Sequence, residues 1–370
     1  MVLVYEKKVF VIGAGTAGLI TARELSKKGV GVEVFDQKKK PGYPPSASGI
    51  ISINGLNSIK TGYKRSVTNT LYGARLHAGK EVMSIMAKKP IAHVVDREIF
   101  NAILLDEALH EGAEVTLGKR ITSKEIYSFS NEGVVVGADG AVSLVAKNFD
   151  MGNVDNYVLT YKAEYETQVK DTRNVELFFD SKISKGLFGW ICPNSDKILE
   201  IGIGINSGKI NSKTTFERFI GMPEISNMIE GAELLNEHAS IIPMKLRKRI
   251  ADDKKRVILV GDAAGQVKPS TGGGIVFGGN AAIIAADIIN KYLNGTAKLS
   301  DYQKIYRKKY VFDTKVHALL NSFYSNSSPK GLGLIMRVLN NLGMSSFLSE
   351  YGDMDSPKNI IKNAIFRKSI

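Results

Sequence analysis

Near the start of the chain, hydrophobic residues follow a strand, helix, strand pattern. Residues 9–12 are all apolar, which is typical of a parallel strand buried on both faces. Apolar residues then recur at helical spacing from Gly18 to Leu25, and Gly29 can end that helix. A second apolar strand covers residues 31–35 and leads into Asp36. The pattern predicts the first half of a doubly wound α/β unit.

Between residues 67 and 95, short strands and turns precede a longer helix. Asp96 can cap that helix, which is predicted over residues 97–110 because its apolar side chains share one face. Beyond it, the apolar residues of 126–129 and 134–136 flank a polar Asn-Glu-Gly turn and predict a β-hairpin.

From about residue 153 to 243, apolar and polar residues alternate over long stretches. Around Tyr161, aromatic and aliphatic side chains occupy one face of the predicted strand, with Lys162 and Glu164 on the other. This alternation predicts a mostly antiparallel sheet. Residues 202–208 imitate a dinucleotide-binding fingerprint, but the last glycine comes one position late and no helix follows, so we interpret them as a glycine-rich strand.

The last third of the chain returns to one buried strand and then becomes helical. Residues 257–260 are apolar, 275–293 predict a long helix of small residues, 301–321 a charged amphipathic helix, and the segment from Lys330 an apolar helix. The predicted fold class is α/β (α+β overall), with a Rossmann-type domain, an antiparallel-sheet substrate domain and a helical C-terminal region. Their predicted boundaries are 1–66, 96–152 and 253–296 for the first, 67–95 and 153–252 for the second, and 297–370 for the third.

Composition is that of a folded protein, with 370 residues, 44% hydrophobic and 24% charged. The single cysteine, Cys192, excludes an internal disulfide and suits a reducing compartment. No secretory signal or membrane-spanning run is recognisable, so we expect a cytoplasmic protein.

The net charge of +13 favours an anionic partner. The basic runs are scattered, and no aromatic-interleaved stripe or helix-turn-helix pattern accompanies them, which argues against nucleic acid. Together with the apolar tail from Lys330, the charge predicts peripheral contact with an anionic lipid surface, on the inner face of the cell membrane.

The first βα turn carries the motif Gly-x-Gly-x-x-Gly at residues 13–18. Gly13 permits a tight turn, Gly15 lets a pyrophosphate approach the backbone, and Gly18 lets the helix pack close to its strand. Asp36 follows the central glycine by about twenty residues, where an acid binds a ribose hydroxyl. The motif therefore predicts a dinucleotide at the N-terminus of the first helix, and this stretch alone leaves NAD and FAD open.

Three further segments narrow the choice of cofactor. A glycine turn lies at residues 137–140, a Gly-Asp pair ends the strand at Asp262, and Pro-Ser-Thr-Gly-Gly-Gly-Ile spans residues 269–275. With the helix that begins at Arg97, these segments make the chain resemble the para-hydroxybenzoate hydroxylase family of flavoproteins, and within it the geranylgeranyl reductases. The resemblance covers nearly the whole chain and implies FAD. Asp262 would meet a ribityl hydroxyl, and the triple glycine would present bare N–H groups and a helix dipole to the reduced flavin.

The motifs and the resemblance together assign a set of residues to FAD: Gly13, Gly15, Thr16, Ala17, Gly18, Asp36, Ser46, Ala47, Ser48, Arg97, Ala138, Asp139, Gly140, Gly261, Asp262, Gly272, Gly273 and Gly274. On the substrate side, residues 188–193 are similar to the aromatic-x-Trp-x-Phe-Pro motif of geranylgeranyl reductases, with cysteine in place of phenylalanine. The residues expected to form an apolar wall for a prenyl chain are Phe188, Trp190, Cys192 and Pro193.

One departure concerns the loop after Asp36. Many geranylgeranyl reductases carry a cysteine there, whereas this chain has Ala47 between Ser46 and Ser48. We therefore assign no catalytic acid. The five histidines lack metal-ligand spacing with each other or with Cys192, so no metal site is expected.

The resemblance implies reduction of carbon–carbon double bonds in geranylgeranyl chains of archaeal-type ether phospholipids. The electron donor stays open between a ferredoxin-like protein and NAD(P)H. Two alternatives also remain: an aromatic-ring monooxygenase on the same fold, and a flavin- or lipid-binding carrier without catalysis. Turnover of a prenyl lipid would separate them.

Overall fold

Three β-sheets and a set of helices are present in the computed structural model, which describes residues 8–44, 48–206 and 211–367. The strands are β1 (Lys8–Ile12), β2 (Gly31–Asp36), β3 (Ile50–Ser52), β4 (Val67–Leu71), β5 (Gly73–Ala78), β6 (Glu81–Met86), β7 (Ala92–Val95), β8 (Glu114–Leu117), β9 (Val134–Gly137), β10 (Tyr157–Glu166), β11 (Asn174–Phe178), β12 (Gly186–Pro193), β13 (Ile198–Asn206), β14 (Glu233–Pro243), β15 (Ala251–Asp252) and β16 (Val257–Leu259). The helices are α1 (Thr16–Ser26), α2 (Ile53–Ser58), α3 (Arg97–His110), α4 (Ser123–Glu132), α5 (Leu144–Asn148), α6 (Ser212–Ile220), α7 (Pro223–Ser226), α8 (Ile275–Leu293), α9 (Ser300–Asn326), α10 (Pro329–Asn341), α11 (Met344–Tyr351) and α12 (Pro357–Arg367). Short 3₁₀ turns cover Tyr63–Ser66 and Gly261–Ala264.

The six-stranded sheet has the order β15-β16-β9-β1-β2-β8, and all its neighbours except β15 and β16 run parallel. Strand β1 lies in the interior, with Val9 opposite both Val32 and Val134. Its apolar run is buried on both faces, because helices cover the sheet from either side.

Helix α1 packs against α3 and α8 above this sheet. Small residues on α8 allow the close approach: a side chain on Gly278 would touch the backbone of Gly261, and one on Gly279 would meet Ile59 and Ile20. The helix of small residues predicted from the sequence is therefore a packing requirement of this layer.

The seven-stranded sheet has the order β14-β10-β13-β12-β11-β5-β6 and is antiparallel except for the pair β5 and β11. Helices α6 and α7 cover one face, over a cluster that includes Ile191 and Phe219. The other face carries a second apolar cluster, which includes Phe188 and Trp190. The glycine-rich stretch interpreted as a strand forms part of β13 up to Asn206, and residues 207–210 lie outside the described range.

A third, small sheet has the order β3-β7-β4. It takes up part of residues 67–95, while β5 and β6 from the same stretch extend the seven-stranded sheet. At the other end of the chain, α9 runs beyond the predicted residue 321 to Asn326, and the tail from Lys330 divides into α10, α11 and α12.

The predicted hairpin over residues 126–136 is wrong. Residues 126–129 belong to helix α4, and β9 pairs in parallel with β1 instead. A capping box starts the helix: Thr122 Oγ1 accepts from the Glu125 amide, and Glu125 accepts from the Thr122 amide at 2.8 Å. The Thr-x-x-Glu signal was present in the sequence, and the spacing of Ile126 and Phe129 is helical.

Candidate functional site

A cavity of about 510 Å³ opens at the carboxyl ends of the parallel strands. Its walls come from the first βα turn, the start of α3, the turn after β9, the segment after β16, the start of α8, and β14 of the seven-stranded sheet. The lining residues assigned to FAD from the sequence are Gly13, Gly15, Thr16, Ala17, Asp36, Arg97, Ala138, Asp139, Gly140, Gly261, Asp262, Gly272 and Gly274. Residues far apart in the chain therefore meet where ligands of doubly wound sheets bind.

The three glycines of the first turn have different surroundings. Gly13 has φ +111°, and a side chain there would collide with the carbonyl of Ala138. A side chain on Gly18 would collide with the Gly13 carbonyl, so both positions serve close packing. At Gly15, by contrast, no described atom lies within 4 Å of an added Cβ. The space left at Gly15 belongs to the cavity, at the N-terminus of α1.

Asp36 lies at the end of β2 and holds the glycine turn in place. Its Oδ2 accepts the Ala14 amide at 2.7 Å, and its Oδ1 accepts the Lys38 amide at 2.7 Å. Replacing Asp36 by alanine would therefore leave two backbone donors without this partner, in addition to any loss of ribose binding. The carboxylate both shapes the turn and lines the cavity.

Arg97 and Asp262 both line the cavity, and their opposite charges interact. Asp96 caps α3, which brings the Arg97 side chain inward, where it donates to Thr16 Oγ1 at 3.3 Å. Burial lowers the pKa of Arg97 to about 10, although Asp262 partly offsets it. Burial raises the pKa of Asp262 to about 6, although the Arg97 guanidinium partly lowers it. Within the described part of the chain, the buried Nε of Arg97 has no hydrogen-bond partner.

Two helices point their N-termini at the cavity. The N-cap residues are Gly15 for α1 and Gly274 for α8, and no side chain among the described residues caps either helix. Gly274 could not carry a side chain easily, because an added Cβ would lie 2.9 Å from Asp262 Oδ1. Free amide groups and two helix dipoles make this a site for an anionic ligand.

Other residues assigned to FAD from the sequence have a side chain bonded elsewhere or lie outside the cavity lining. The Asp139 carboxylate is turned to the start of α5, where it accepts from Ser143 Oγ at 2.6 Å and the Val145 amide at 3.0 Å. Gly18 and Gly273 support the cavity from behind its lining. Ser48 is half-buried outside the lining, and Ser46 and Ala47 lie outside the described residues.

The predicted substrate residues lie in β12. As far as the described ranges show, Phe188, Trp190, Cys192 and Pro193 do not line the cavity. The first three share one apolar cluster, as their alternation predicted. The Trp190 indole lies over Gly202 and donates from Nε1 to Glu200 Oε1 at 2.8 Å, and burial raises the pKa of the Cys192 thiol.

Sequence reasoning missed several residues of the cavity. Asn101 lies one turn after Arg97 on α3 and accepts from Thr16 Oγ1 at 3.0 Å, a spacing that could have identified it. Ile242, from β14, reaches the cavity from the seven-stranded sheet, and only the tertiary structure shows this. The part of the chain that the structure describes contains no cluster of His, Cys, Asp or Glu suited to a metal ion.

Comparison with known proteins agrees with this geometry. A family model described as an FAD binding domain matches residues 6–308. The chain belongs to this FAD-binding family. Its cofactor is FAD, as predicted, and it is a flavin-dependent oxidoreductase of that family.

Individual relatives agree with the resemblance found in the sequence. Digeranylgeranylglycerophospholipid reductase 2 of Methanosphaera stadtmanae is 28% identical, over 84% of each chain. A geranylgeranyl bacteriochlorophyll reductase-like structure from Thermoplasma acidophilum has a TM-score of 0.80 at 18% identity, covering 96% of this chain and 94% of the other. A flavin-dependent brominase structure has a TM-score of 0.70 at 16% identity, covering 99% and 98%. The family resemblance and the fold class predicted from the sequence are confirmed.

The residues of the cavity fit FAD. The opening at Gly15 and the uncapped start of α1 suit a pyrophosphate, and the unpaired Arg97 Nε offers a donor to the ligand. Asp262 and two residues of the triple glycine, Gly272 and Gly274, also line the cavity, with Gly274 beside Asp262 and Gly272 beside Ile242. The placement of each cofactor group on these residues stays a prediction, and two substitutions test it.

The first substitution is Gly15→Val. The new side chain meets no described protein atom within 4 Å of its Cβ, so we expect the free energy of unfolding of the FAD-free protein to stay close to that of the wild type. Bound FAD should be lost, because the side chain occupies space beside the turn. Absorbance at the flavin band and thermal melting of the FAD-free protein check both expectations. Full FAD occupancy in the variant would remove Gly15 from the site.

The second substitution is Asp262→Asn in FAD-free protein. The pKa of Asp262 in the folded protein, about 6, exceeds the reference value of 3.8, so the folded protein holds the Asp262 proton more tightly than the unfolded chain. This difference contributes fully to the free energy of unfolding below about pH 4, and the contribution is lost as the pH rises to about 6. At pH 7 the variant should be more stable than the wild type, by at most about 3 kcal/mol. Denaturant unfolding across pH 4–8 measures this. Parallel pH curves for the two proteins would contradict the assignment.

Proposed function

We propose that the protein uses FAD to reduce carbon–carbon double bonds in geranylgeranyl chains of isoprenoid ether phospholipids. The relatives named as digeranylgeranylglycerophospholipid reductases support this substrate class. The observation that carries the proposal is the contact of the cavity with the apolar cluster of the seven-stranded sheet. Ile242 lines the cavity and packs against that cluster, which includes Leu187 and Phe188.

Gly272 lies where the cavity meets the apolar cluster, which supports the proposed lipid site. This glycine lines the cavity with φ +71°, and an added Cβ would lie 2.8 Å from Ile242 Cδ1 and 3.9 Å from Leu187 Cδ2. The apolar cluster therefore begins directly beside the triple glycine. A prenyl chain that displaces or joins these side chains would meet an apolar environment.

The chemistry divides between cofactor and protein. Once reduced by the electron donor, bound FAD would supply hydride to one carbon of the alkene and a proton would complete the other carbon, while the protein binds, orients and dehydrates the reactants. Ile242 and Leu187 would hold the alkene beside the triple glycine, while Arg97 and the starts of α1 and α8 hold the anionic cofactor. The electron donor is proposed to be a ferredoxin-like protein or NAD(P)H.

The deciding experiment is mass spectrometry of lipid products. The chemically reduced protein is incubated with digeranylgeranyl phospholipid under anaerobic conditions, and saturation adds two hydrogen atoms per double bond. Unchanged lipid, with hydroxylation of aromatic substrates in the presence of dioxygen, would establish a monooxygenase. Unchanged lipid that co-purifies with the flavoprotein, without any turnover, would establish a carrier.

Trp190→Ala tests the substrate wall. Loss of the indole over Gly202 should destabilise the protein by roughly 3–5 kcal/mol and sharply lower lipid saturation, while the folded protein retains FAD. The matched control is Ile191→Ala in the same strand, which faces the cluster under α6 and α7. It should lose roughly 2–5 kcal/mol yet keep saturation activity per folded molecule. Equal activity losses in both variants would make Trp190 a purely structural residue.

The proposed lipid substrate also requires contact with a membrane. No helix among the described residues has the length and apolar character needed to cross one. Helix α10 and the C-cap residue that follows it instead expose a stripe of apolar residues: Leu334, Ile335, Val338 and Leu342. Leu334 and Leu342 are 61% and 76% exposed, and spacings of three, four and seven residues place the four side chains on one side of the helix. We propose that this stripe lies in the surface of an anionic membrane.

Leu342→Glu should weaken sedimentation with anionic vesicles without changing the free energy of unfolding, because the side chain is exposed. Leu109→Glu, at an exposed leucine of α3, is the control and should sediment like the wild type. High salt should weaken binding further, since the net charge is +13. If the wild-type protein bound neutral and anionic vesicles with equal affinity, the proposed electrostatic contribution to membrane binding would be contradicted.

A further inference from the structure

A buried ion pair joins the C-terminal region to the wall of the cofactor cavity. Lys268 Nζ donates to Asp355 Oδ1 at 2.6 Å and to the Met354 carbonyl at 3.1 Å. Both side chains are largely buried, at 7% and 14% exposure. Asp355 also accepts from Ser52, the residue that caps α2. Asp355 lies beyond residues 6–308 that the FAD-binding family model covers, so this contact comes from the C-terminal region.

Lys268 supports the triple glycine through its backbone and its side chain. Its amide donates to the Gly273 carbonyl at 3.0 Å, and its carbonyl accepts the Gly272 amide at 2.8 Å. An added Cβ on Gly273 would lie 2.9 Å from Lys268 Cε and 3.5 Å from Nζ. Since Gly272 and Gly274 line the cavity on either side of Gly273, the ammonium group lies directly behind the cavity wall.

The surroundings of Asp355 favour its ionised form. Burial would raise the pKa of Asp355, but Lys268 and the Ser52 hydrogen bond outweigh burial and hold that pKa below its usual value. His317 lies beside the pair, with Nδ1 2.6 Å from Ser270 Oγ, and burial together with Lys268 lowers the pKa of its imidazole. Lys268 is thus a cation neutralised by Asp355 next to an imidazole that favours the neutral form.

We propose that the Lys268–Asp355 pair tunes the reduction potential of the bound FAD, with Lys268 as a positive charge behind the triple glycine and Asp355 as the group that limits its effect. Uptake of two electrons and one proton gives the cofactor one more negative charge than its oxidised form. An uncompensated cation at this wall stabilises that negative charge and raises the reduction potential. Removal of the cation lowers the potential. The inference rests on the proposed placement of the flavin against residues 272–274.

The test is a spectrophotometric redox titration of the FAD-loaded protein at pH 7, with dithionite as reductant. Asp355→Asn exposes the cofactor to the full charge of Lys268 and should raise the midpoint potential. We expect at least a tenfold change in the two-electron equilibrium, which corresponds to about 30 mV. Lys268→Met should lower the potential. The double variant carries neither charge and should return close to the wild-type value.

The matched control is Glu107→Gln. Arg23 is a buried cation paired with Glu107 at 2.6 Å, and it lies on α1 two turns beyond the glycine turn. This variant removes one of the two carboxylates, Glu107 and Glu24, that pair with the buried Arg23, so it tests whether weakening a buried ion pair elsewhere shifts the potential. It should leave the midpoint potential unchanged.

Opposite shifts in the two single variants, with a double variant near the wild type, support the proposal. Shifts of the same sign, no shift in either, or an equal shift in Glu107→Gln overturn it, because a structural disturbance would produce them. If Asp355→Asn does not fold, Lys268→Met and the double variant still decide: the first must lower the potential and the second restore it. The measurement needs no lipid, so its failure leaves the proposed reductase activity untouched, and the reverse also holds.

Discussion

The close approach of α1 to the end of β1 is the constraint on which the rest of the structure depends. Gly13 and Gly18 lie so near each other and Ala138 that neither position accepts a side chain. This contact brings the N-terminus of α1 to the carboxyl ends of β1 and β9, and it leaves the space at Gly15 open. Asp36 then fixes the turn through the amides of Ala14 and Lys38. The cavity at this edge of the sheet exists because backbone groups, rather than side chains, form this wall.

Charge around the cavity is balanced in pairs. Arg97 interacts with Asp262 inside it, and Lys268 faces Asp355 behind it. Ionising Asp262 opposes folding, since its pKa is raised to about 6, whereas the Lys268–Asp355 pair is held by hydrogen bonds. Such an arrangement sacrifices stability for a site that receives an anionic cofactor, a pattern common in functional sites.

The apolar cluster of the seven-stranded sheet connects the cofactor wall to the proposed lipid site. Ile242 belongs to both, and Gly272 touches it from the side of the triple glycine. Trp190 is held within that cluster by Glu200, which itself pairs with the buried Lys162. The indole therefore has a fixed orientation as well as an apolar surface. A rigid wall at the proposed lipid site suits a reaction that depends on the position of an alkene.

The sequence by itself determined the cofactor and the fold class, because both depend on local signals. A buried strand, a glycine turn and a helix follow each other within residues 9–29, and short motifs around Asp262 and residues 272–274 specify the second half of the site. Local signals were also sufficient for α4, although the capping box at Thr122 was overlooked.

Only the tertiary structure decided which distant residues meet. The seven-stranded sheet brings Ile242 to the cavity, and the C-terminal region brings Asp355 to Lys268. These contacts join elements far apart in the chain, and no periodicity or motif records them. Their formation depends on how whole layers pack, which is a property of the assembled core rather than of any single segment.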